Sequence, residues 1–192
     1  VNNSTLHFGA YLNDKLEGVM SFGSPLDKRK VLPLVSGTIW TGMLELNRMA
    51  FSDRLPRNSE SRCMAVAFRL IKKHYPHIEW VLSFSDGCQC GDGTIYRASG
   101  FVLTSIKKNN SIWRAPTGES FAETSLRPGI GGSAAIKKAE AISRTTMTEG
   151  AHLAASGGKS SMQRFKDAGW KPIEGFQLRY IYFLNPEAKA RL

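Results

Sequence analysis

Short segments in which apolar residues alternate with polar ones, or run together, recur along the chain and predict strands of a β-sheet. Residues 43–51, MLELNRMAF, alternate, as in a strand with one buried face. Residues 78–84 are mostly aliphatic and aromatic, which is typical of a strand buried on both faces. Further strands are predicted at residues 6–12, 16–23, 101–106 and 176–184. The turn Asn13-Asp14 between the first two of these predicts an antiparallel hairpin.

Helical periodicity occurs between these strands. Four apolar residues share one face of a helix that ends near residues 74–76: Met64, Ala67, Phe68 and Ile71. Asn58 or Ser59 can cap its start, and residues 93–99 predict a short helix. Pro25 and Pro33 argue against one long helix across residues 24–40. The element order predicts an α/β fold with a mixed central sheet flanked by helices.

The stretch 111–161 interrupts this regular order. Its glycine, proline and serine clusters surround one predicted helix at residues 134–146. The composition of the 192 residues, 42% of them hydrophobic, shows no shift that would argue for two cores. We therefore expect one domain over residues 1–192 with an inserted loop-and-helix module over about 111–161.

The charge balance favours a polyanionic partner. The formal net charge is +10, and residues 127–171 hold eight basic residues against three acidic ones. A solvated basic surface without a nucleic-acid partner is the alternative, and the clustering of the charge in one region favours contact with nucleic acid. Four basic residues are the candidates for DNA phosphate contacts: Lys137, Lys138, Arg144 and Lys159.

The junction from Trp80 to Phe101 is the first place to look for chemistry. An apolar strand there gives way to a polar, glycine-rich loop, and such junctions lie at the open end of a sheet. Asp86 can act as a base or hydrogen-bond acceptor, and the Tyr96 hydroxyl can protonate a leaving group or orient a donor. A turn-stabilising carboxylate and a core aromatic are the structural alternatives.

A second set of polar residues follows the predicted strand 43–51. Arg48 can bind phosphate or a carboxylate, and an ion pair with Glu45 or Glu60 is the alternative. The segment RNSES, which contains Arg57, Asn58, Ser59 and Ser61, can present N–H groups and hydroxyls to a phosphate at a helix start. The glycines usual in an acetyl-CoA pyrophosphate loop are absent there.

The remaining motifs are weaker. Cys88 and Cys90 are closer together than a CxxC pair, so free thiols are favoured over a metal site, and no metal ligand is assigned. Residues 156–160 predict a flexible basic loop rather than a phosphate loop. Three aromatic residues are candidates for stacking on a flipped base, with core packing the commoner fate: Tyr11, Trp40 and Trp113.

Several spaced motifs together carry a family resemblance. LNRM at residues 46–49, FSD at 84–86, GTIYRA at 93–98, GF at 100–101 and RYIYF at 179–183 resemble the Mom family of phage DNA-modification proteins. The order of elements resembles that of GNAT acyltransferases. The resemblance implies an enzyme that converts adenine in DNA to carbamoylmethyladenine and so protects phage DNA from host restriction.

The resemblance also implies roles for individual residues. Catalytic roles carry over to Arg48, Ser61, Asp86 and Tyr96. Donor binding is expected at the same arginine, serine and tyrosine and at Leu46, Asn47, Arg57, Asn58 and Ser59. The absence of the usual glycines before the helix leaves the donor open between acetyl-CoA and another acyl or aminoacyl donor, such as an aminoacyl-tRNA carrying glycine. The family's His-Tyr pair has no match, because His7 lies in a strand pattern without a following tyrosine.

Two other classes of function compete with DNA modification. A GNAT enzyme acting on a protein amine or a small-molecule amine would turn over acetyl-CoA without DNA, and a DNA-binding or decoy protein would need no catalytic residue. The apolar stretches are too short to span a membrane, and residues 1–8 lack the pattern of a signal peptide. We expect a cytoplasmic protein, and the sequence leaves its oligomeric state open, a homodimer included.

Overall fold

A computed structural model of the chain describes residues 3–87, 91–109, 111–126, 133–146 and 161–192. The strands are β1 Ser4–Leu12, β2 Lys15–Gly23, β3 Met43–Phe51, β4 Trp80–Asp86, β5 Val102–Asn109, β6 Ile112–Arg114, β7 Ser120–Ala122, β8 Lys171–Pro172 and β9 Gly175–Phe183. The helices are α1 Lys28–Val31, α2 Ser59–His74, α3 Thr94–Ala98, α4 Glu123–Leu126, α5 Ser133–Thr146 and α6 Ser161–Asp167, with 3-10 helices at Leu32–Leu34 and Pro186–Arg191.

The main sheet has six strands in the order β1-β2-β3-β4-β9-β5. β2 is antiparallel to both β1 and β3, and β4 runs parallel to β3. Asn13 and Asp14 take positive φ angles of 49° and 62°, which a tight hairpin turn requires. The predicted hairpin, the mixed sheet and the α/β class are confirmed.

Each face of this sheet carries an apolar core. Helix α2 covers one face with Met64, Ala67, Phe68 and Ile71, which pack on strand residues such as Phe22. The predicted apolar face of α2 is therefore confirmed. The other face holds a second apolar core, to which Ile181 and Ala188 contribute from the C-terminal part of the chain. Its buried members are Val35, Met43, Trp80, Leu82, Ile181 and Ala188.

Strand β4 is shifted from its predicted position. The sequence predicts residues 78–84, whereas the strand runs from Trp80 to Asp86. The Ile78 N–H donates to the Tyr75 carbonyl at 3.0 Å, so Ile78 closes a turn after α2. Ser83 and Ser85 are only 1% and 2% exposed, and Ser85 belongs to the strand although apolar periodicity did not assign it there.

The chain divides into two compact units. The first comprises Val1–Ser85, Cys90–Ile106 and Leu178–Leu192, and the second Asp86–Gln89 and Lys107–Gln177. The second unit contains a three-stranded sheet, β7-β6-β8, with its own apolar core that includes Trp113, Leu126 and Trp170. The description of one domain with an insertion stays a prediction.

The stretch 111–161 contains more regular structure than its sequence predicts. Helix α5 confirms the helix expected at residues 134–146. The described residues also form β6, β7 and α4, which were not predicted because this stretch is rich in glycine, proline and serine. Strands of three residues and a helix of four are too short to produce a clear periodicity.

Candidate functional site

A bulge in β3 places Glu45 and Arg48 on the same face of the main sheet. In β2, Ser21 pairs with Arg48 and Gly23 pairs with Glu45. One residue separates the two β2 partners, but two separate Glu45 from Arg48, so Asn47 is the extra residue. In a regular strand, residues three apart point to opposite faces. The bulge therefore turns both charged side chains to one side.

Hydrogen bonds hold the bulge residue in place. The Ser4 hydroxyl donates to Asn47 Oδ1 at 3.0 Å, and Asn47 Nδ2 donates to the Ser24 carbonyl at 3.5 Å. These contacts join β1, β3 and the segment that follows β2. The predicted donor-binding residue Asn47 thus has a structural partner on each side, while Leu46 packs in the core under α2.

Glu45 lies half-buried in an apolar setting. Its parallel partner across β4 is Leu82, and its partner across β2 is Gly23, which offers no side chain. Burial raises the pKa of the Glu45 carboxyl from 4.5 to about 7, with no charged neighbour contributing. A carboxylate with that pKa is a stronger base at neutral pH than an ordinary glutamate. The sequence identified Glu45 only as an alternative ion-pair partner of Arg48, because the burial of Glu45 is a tertiary property.

Arg48 is exposed and stands in a polar row across three strands. His7 pairs with Ser21, and Ser21 pairs with Arg48. His7 Nδ1 and Ser21 Oγ lie 2.9 Å apart, within hydrogen-bonding distance. Among the described residues no ion pair joins Arg48 to an acidic side chain, so the predicted alternative with Glu45 or Glu60 is not formed.

The loop before α2 forms one wall of an open cavity of about 360 Å³. Asn58 precedes the helix with a left-handed φ of 68°. The Ser61 hydroxyl donates to the Asn58 carbonyl at 3.0 Å, and the Ser59 hydroxyl donates to the Pro56 carbonyl. The first-turn N–H groups of a helix have no partner within it, and Arg57 adds a cation beside them. The arrangement can receive an anionic group.

Helix α3 forms the opposite wall of this cavity. Thr94, Ile95 and Ala98 line it together with the predicted residues Arg57, Asn58 and Ser61. Among the predicted donor-binding residues, these three are therefore brought together in space. Ser59 lies next to them in the chain and does not line the cavity.

Tyr96 lies on the same short helix but packs toward the core. Its ring centroid is 5.2 Å from that of Phe101 and 5.3 Å from that of Tyr180. The ring is partly buried and rests on the core below α2. The structure thus gives Tyr96 the packing that the core-aromatic alternative expected, and its catalytic role stays a prediction.

The start of α3 is fixed by an acidic residue that the sequence analysis did not assign to a site. Asp92 Oδ1 accepts the Thr94 N–H at 3.1 Å, and Arg97 pairs with the Asp92 carboxylate at 2.6 Å. Hydrogen bonds from Thr94 and Arg97 lower the pKa of Asp92 to about 2. The Tyr180 hydroxyl donates to the Asp92 carbonyl at 2.8 Å, which ties α3 to β9.

Asp86 is the last residue of β4 and is partly buried. The sequence expected it just after the strand, at the carboxyl edge, and it lies at that edge within the strand. The Gly87 N–H donates to the Phe176 carbonyl at 2.7 Å, which continues the pairing beyond Asp86. A functional pairing of Asp86 with Tyr96 stays a prediction.

The predicted DNA-contact residues differ in their surroundings. Lys137 is exposed on α5, whereas Lys138 is exposed but forms an ion pair with Glu119 at 3.2 Å. The backbone of Arg144 lies in α5, and its side chain is outside the described set, as is all of Lys159. Lys137 is therefore the candidate whose charge is not matched by a described carboxylate.

The three aromatic candidates for base stacking differ in their exposure to solvent. Trp40 is 55% exposed and Tyr11 is 67% exposed, but Trp113 is 6% exposed in the core of the second unit. Trp113 therefore follows the core alternative. The other two remain available at the surface.

The described residues contain neither a candidate metal site nor a candidate membrane-spanning helix. Within them no three histidine, cysteine, aspartate or glutamate side chains are grouped to hold a metal ion. Cys88, Cys90 and the segment 156–160 lie outside the described residues. Nor does any described helix have the length and apolar character that crossing a membrane requires.

Comparison with solved structures returns acetyltransferases. One is an acetyltransferase of the GNAT family from Streptococcus pneumoniae, with 15% identity and a TM-score of 0.42, covering 56% of this chain and 57% of that one. Another is a probable acetyltransferase from Staphylococcus epidermidis ATCC 12228, with 11% identity and a TM-score of 0.42, covering 92% of this chain and 66% of that one. The chain thus spans less than two thirds of the length of either structure.

Comparison of sequences gives a stronger relationship. The chain is 35% identical over 193 residues to the methylcarbamoylase Mom of Escherichia phage Mu, covering all of this chain and 69% of the phage protein. The Mom protein family matches residues 1–192. The match includes the strand with the Glu45–Arg48 bulge, the loop before α2 and the end of β4, so the chain belongs to the Mom protein family.

Proposed function

We propose that this chain is a phage DNA-modifying transferase that converts adenine in double-stranded DNA to N6-carbamoylmethyladenine and so protects phage DNA from host restriction. Membership in the Mom family and the similarity to the Mu methylcarbamoylase support the class of reaction. The observation that carries the chemistry is the bulge that turns Glu45 and Arg48 to one face of the sheet.

Glu45 supplies the base that this reaction needs. The adenine N6 amine is a poor nucleophile because its lone pair is delocalised into the ring. As its nitrogen forms a bond to the carbonyl carbon of the donor, the bond from that carbon to the leaving oxygen or sulfur breaks, one N6 proton passes to the Glu45 carboxylate, and Tyr96 protonates the leaving atom. Transfer of a glycyl group gives an N6-glycyl amide that contains all the atoms of the carbamoylmethyl group. An isomerisation that attaches the adenine nitrogen to the methylene carbon and the glycyl nitrogen to the carbonyl carbon must follow to give the product. The raised pKa of Glu45, about 7, suits a group that must accept this proton near neutral pH.

Arg48 supplies positive charge beside that base. It is exposed and has no ion-pair partner among the described residues. A guanidinium in that position can hold a DNA phosphate or stabilise negative charge that develops on the donor. Asp86 and Tyr96 remain candidates for orienting the amine and for protonating the leaving group.

The cavity between the start of α2 and α3 fits the phosphate-bearing part of a donor. Arg57 and the first-turn N–H groups of α2 provide donors for anionic oxygen. The carboxylates of Asp53 and Glu60 also line the cavity, so the phosphate is expected on the side of Arg57 and the helix start. A CoA thioester, when bound there, would supply an activated acyl carbon. An aminoacyl-tRNA presents the same phosphate chemistry. We propose a phosphate-bearing donor at this cavity and leave its acyl group to experiment.

Mass spectrometry of nucleosides digested from DNA of cells that express the protein tests the proposal. We expect a carbamoylmethyladenine in cells with the native chain. It should be lost with Glu45→Gln, which keeps the size of the side chain but removes the base, and reduced with Asp86→Ala. Circular dichroism of each purified variant controls for folding.

Two results would contradict the proposal. Unmodified DNA in cells that contain folded native protein would exclude DNA modification under those conditions. Turnover of acetyl-CoA on a protein or small-molecule amine by that same preparation would then favour the N-acyltransferase alternative.

A further inference from the structure

Leu26 is an apolar side chain held almost fully in solvent next to a basic helix. It is 96% exposed, the highest value among the exposed large hydrophobic residues described. The next residues include Lys28, Arg29 and Lys30 in α1. The Lys28 Nζ atom of this helix lies 5.1 Å from the ring centroid of Trp40, which is 55% exposed. We call Leu26, Lys28, Arg29, Lys30 and Trp40 the Leu26 surface.

The backbone that carries this surface is anchored on both sides. Before Leu26, the Ser24 carbonyl accepts a hydrogen bond from Asn47, the bulge residue of β3. After α1, Val35 is fully buried, and the Trp80 indole N–H donates to Thr38 Oγ1 at 2.9 Å. Leu26 is thus held in solvent by a turn that is anchored on both sides.

The charge of the surface suits a polyanion. Lys30 pairs with Asp27 at 2.6 Å, so one of its three cations is matched. Arg29 is exposed and forms no ion pair within the described part of the chain. Lys28 lies over the indole ring, where a cation and an aromatic face are presented together. An apolar side chain flanked by cations matches DNA, whose phosphates lie on either side of stacked bases.

The surface also begins beside the proposed base. Gly23, the last residue of β2, pairs with Glu45, and Leu26 follows three residues later. Val31, Leu32 and Leu34 of the same segment pack on the core that contains Met43 and Leu82. Leu82 pairs with Glu45, so the segment packs on the same sheet face to which Glu45 points and leaves Arg48 exposed there.

We propose that the Leu26 surface binds double-stranded DNA, with Leu26 inserted between base pairs as a wedge and Arg29 on a phosphate, next to the adenine presented to Glu45. This inference rests on the proposed function. An enzyme that acts on a base within a duplex must extrude it, and an inserted apolar side chain fills the space that the base leaves. Lys28 and Trp40 would hold the adjoining backbone and an unstacked base.

The test measures binding of the purified chain to two forms of a 30-base-pair duplex. One form is fully paired, and the other has a single adenine opposite an abasic site, so that extrusion is already favoured. We expect Leu26→Ala to weaken binding to the paired form by about tenfold and to the second form by less than about twofold. Leu26→Phe should restore binding, because another apolar wedge takes its place. Arg29→Ala should weaken both forms and lower the salt dependence by about one ion.

The matched control is the pair Lys15→Ala and Leu16→Ala, an exposed lysine and an exposed leucine at the β1–β2 turn. Neither should change binding. The inference is overturned if Leu26→Ala binds both duplex forms like the native chain, or if the Lys15 and Leu16 variants have the same effect.

Nucleoside mass spectrometry on DNA from cells that express the native or the Leu26→Ala chain, read beside the binding data, separates this inference from the proposed function. Native protein whose duplex binding depends on Leu26, but which leaves adenine unmodified, would support the surface and contradict the function. Equal modification of paired DNA by the native and Leu26→Ala proteins, with unchanged binding, would support the function and contradict the surface.

Discussion

Glu45 and Arg48 share one face of the main sheet because Asn47 is an extra residue in β3. Without the bulge, one of the two would point into the core below α2. The bulge thus produces a base and a cation at neighbouring positions from a strand whose plain alternation would separate them. The chemistry proposed for the chain depends on this local irregularity.

The first prediction concerns activity and pH. Glu45→Gln should lower the rate of adenine modification about 10²- to 10³-fold, because an amide cannot accept the N6 proton. With the native chain the rate should rise with pH through about 7, as Glu45 loses its proton. Single-turnover rates between pH 5.5 and 8.5 would measure both effects. A rate for Glu45→Gln within twofold of native would exclude Glu45 as the base.

The second prediction concerns stability. The pKa of Glu45 is raised from 4.5 to about 7, so the folded state favours the protonated carboxyl. Its stabilising effect is complete below pH 4.5 and is lost as pH rises through about 7. A fully buried group with such a shift would account for ~3 kcal/mol, and solvent screening reduces this to about 1 kcal/mol here.

Urea unfolding at pH 5 and pH 8 measures this effect. Glu45→Gln should remove that contribution to the difference between the two pH values and should be more stable than the native chain at pH 8. Glu140→Gln, which removes an exposed carboxylate from α5, serves as the control and should leave the difference unchanged. An equal pH dependence in native and Glu45→Gln proteins would show that burial does not shift this carboxyl.

The third prediction concerns the donor cavity. Arg57→Ala should raise the KM for a phosphate-bearing donor by about tenfold with little change in kcat, because the lost contact binds a non-reacting part of the donor. Arg62→Ala removes an exposed arginine one turn further along α2 that does not line the cavity. Steady-state kinetics on both variants would decide. Equal effects of the two would point to general charge rather than to the cavity.

The fourth prediction separates packing from backbone strain. Gly93 and Gly91 both have positive φ, at 72° and 69°. A Cβ at Gly93 would come within 2.5 Å of the Tyr180 ring, whereas one at Gly91 would meet nothing within 4 Å. Gly93→Ala should therefore be less stable than Gly91→Ala by about 1 to 3 kcal/mol. Urea unfolding of the two variants measures the difference. Equal losses in the free energy of unfolding would mean that backbone strain, and not the contact with Tyr180, accounts for the effect of both substitutions.

The fifth prediction concerns α5. Lys137→Ala should lower the slope of log binding constant against log salt by about 0.9, the value for one phosphate contact. Lys138→Ala should change it less, because Lys138 is paired with Glu119. DNA binding from 50 to 200 mM salt gives both slopes. An unchanged slope for Lys137→Ala would remove α5 from the DNA interface.

The sequence predicted the elements whose residues form regular patterns. The hairpin follows from Asn13-Asp14 between two alternating segments, and α2 follows from apolar residues at helical spacing above a polar start. Strand β3 was predicted with its observed bounds, Met43–Phe51. Local propensity and hydrophobic periodicity agree in these segments, so no tertiary contact was needed to recognise them.

Candidate site residues were predicted less completely. Arg57, Asn58 and Ser61 were identified from their position before a helix, and they line one cavity. The partner wall from α3 could not be predicted, because it depends on the distance between segments that lie more than thirty residues apart in the chain. The role of Ser85 could not be predicted from the sequence either. Ser85 lies in the buried strand β4, and its hydroxyl donates to the carbonyl of Gly91, which lies after that strand.

The sequence by itself determined the α/β class, the helix face under the sheet, the excess of positive charge and the motifs that indicate the Mom family. Only the tertiary structure decided that Asn47 forms a bulge, that Glu45 is buried beside Gly23 and Leu82, and that Leu26 is held in solvent. The reason is physical. Periodicity reports which side chains share a face of one element, whereas register, desolvation and exposure depend on which other elements come to lie against it.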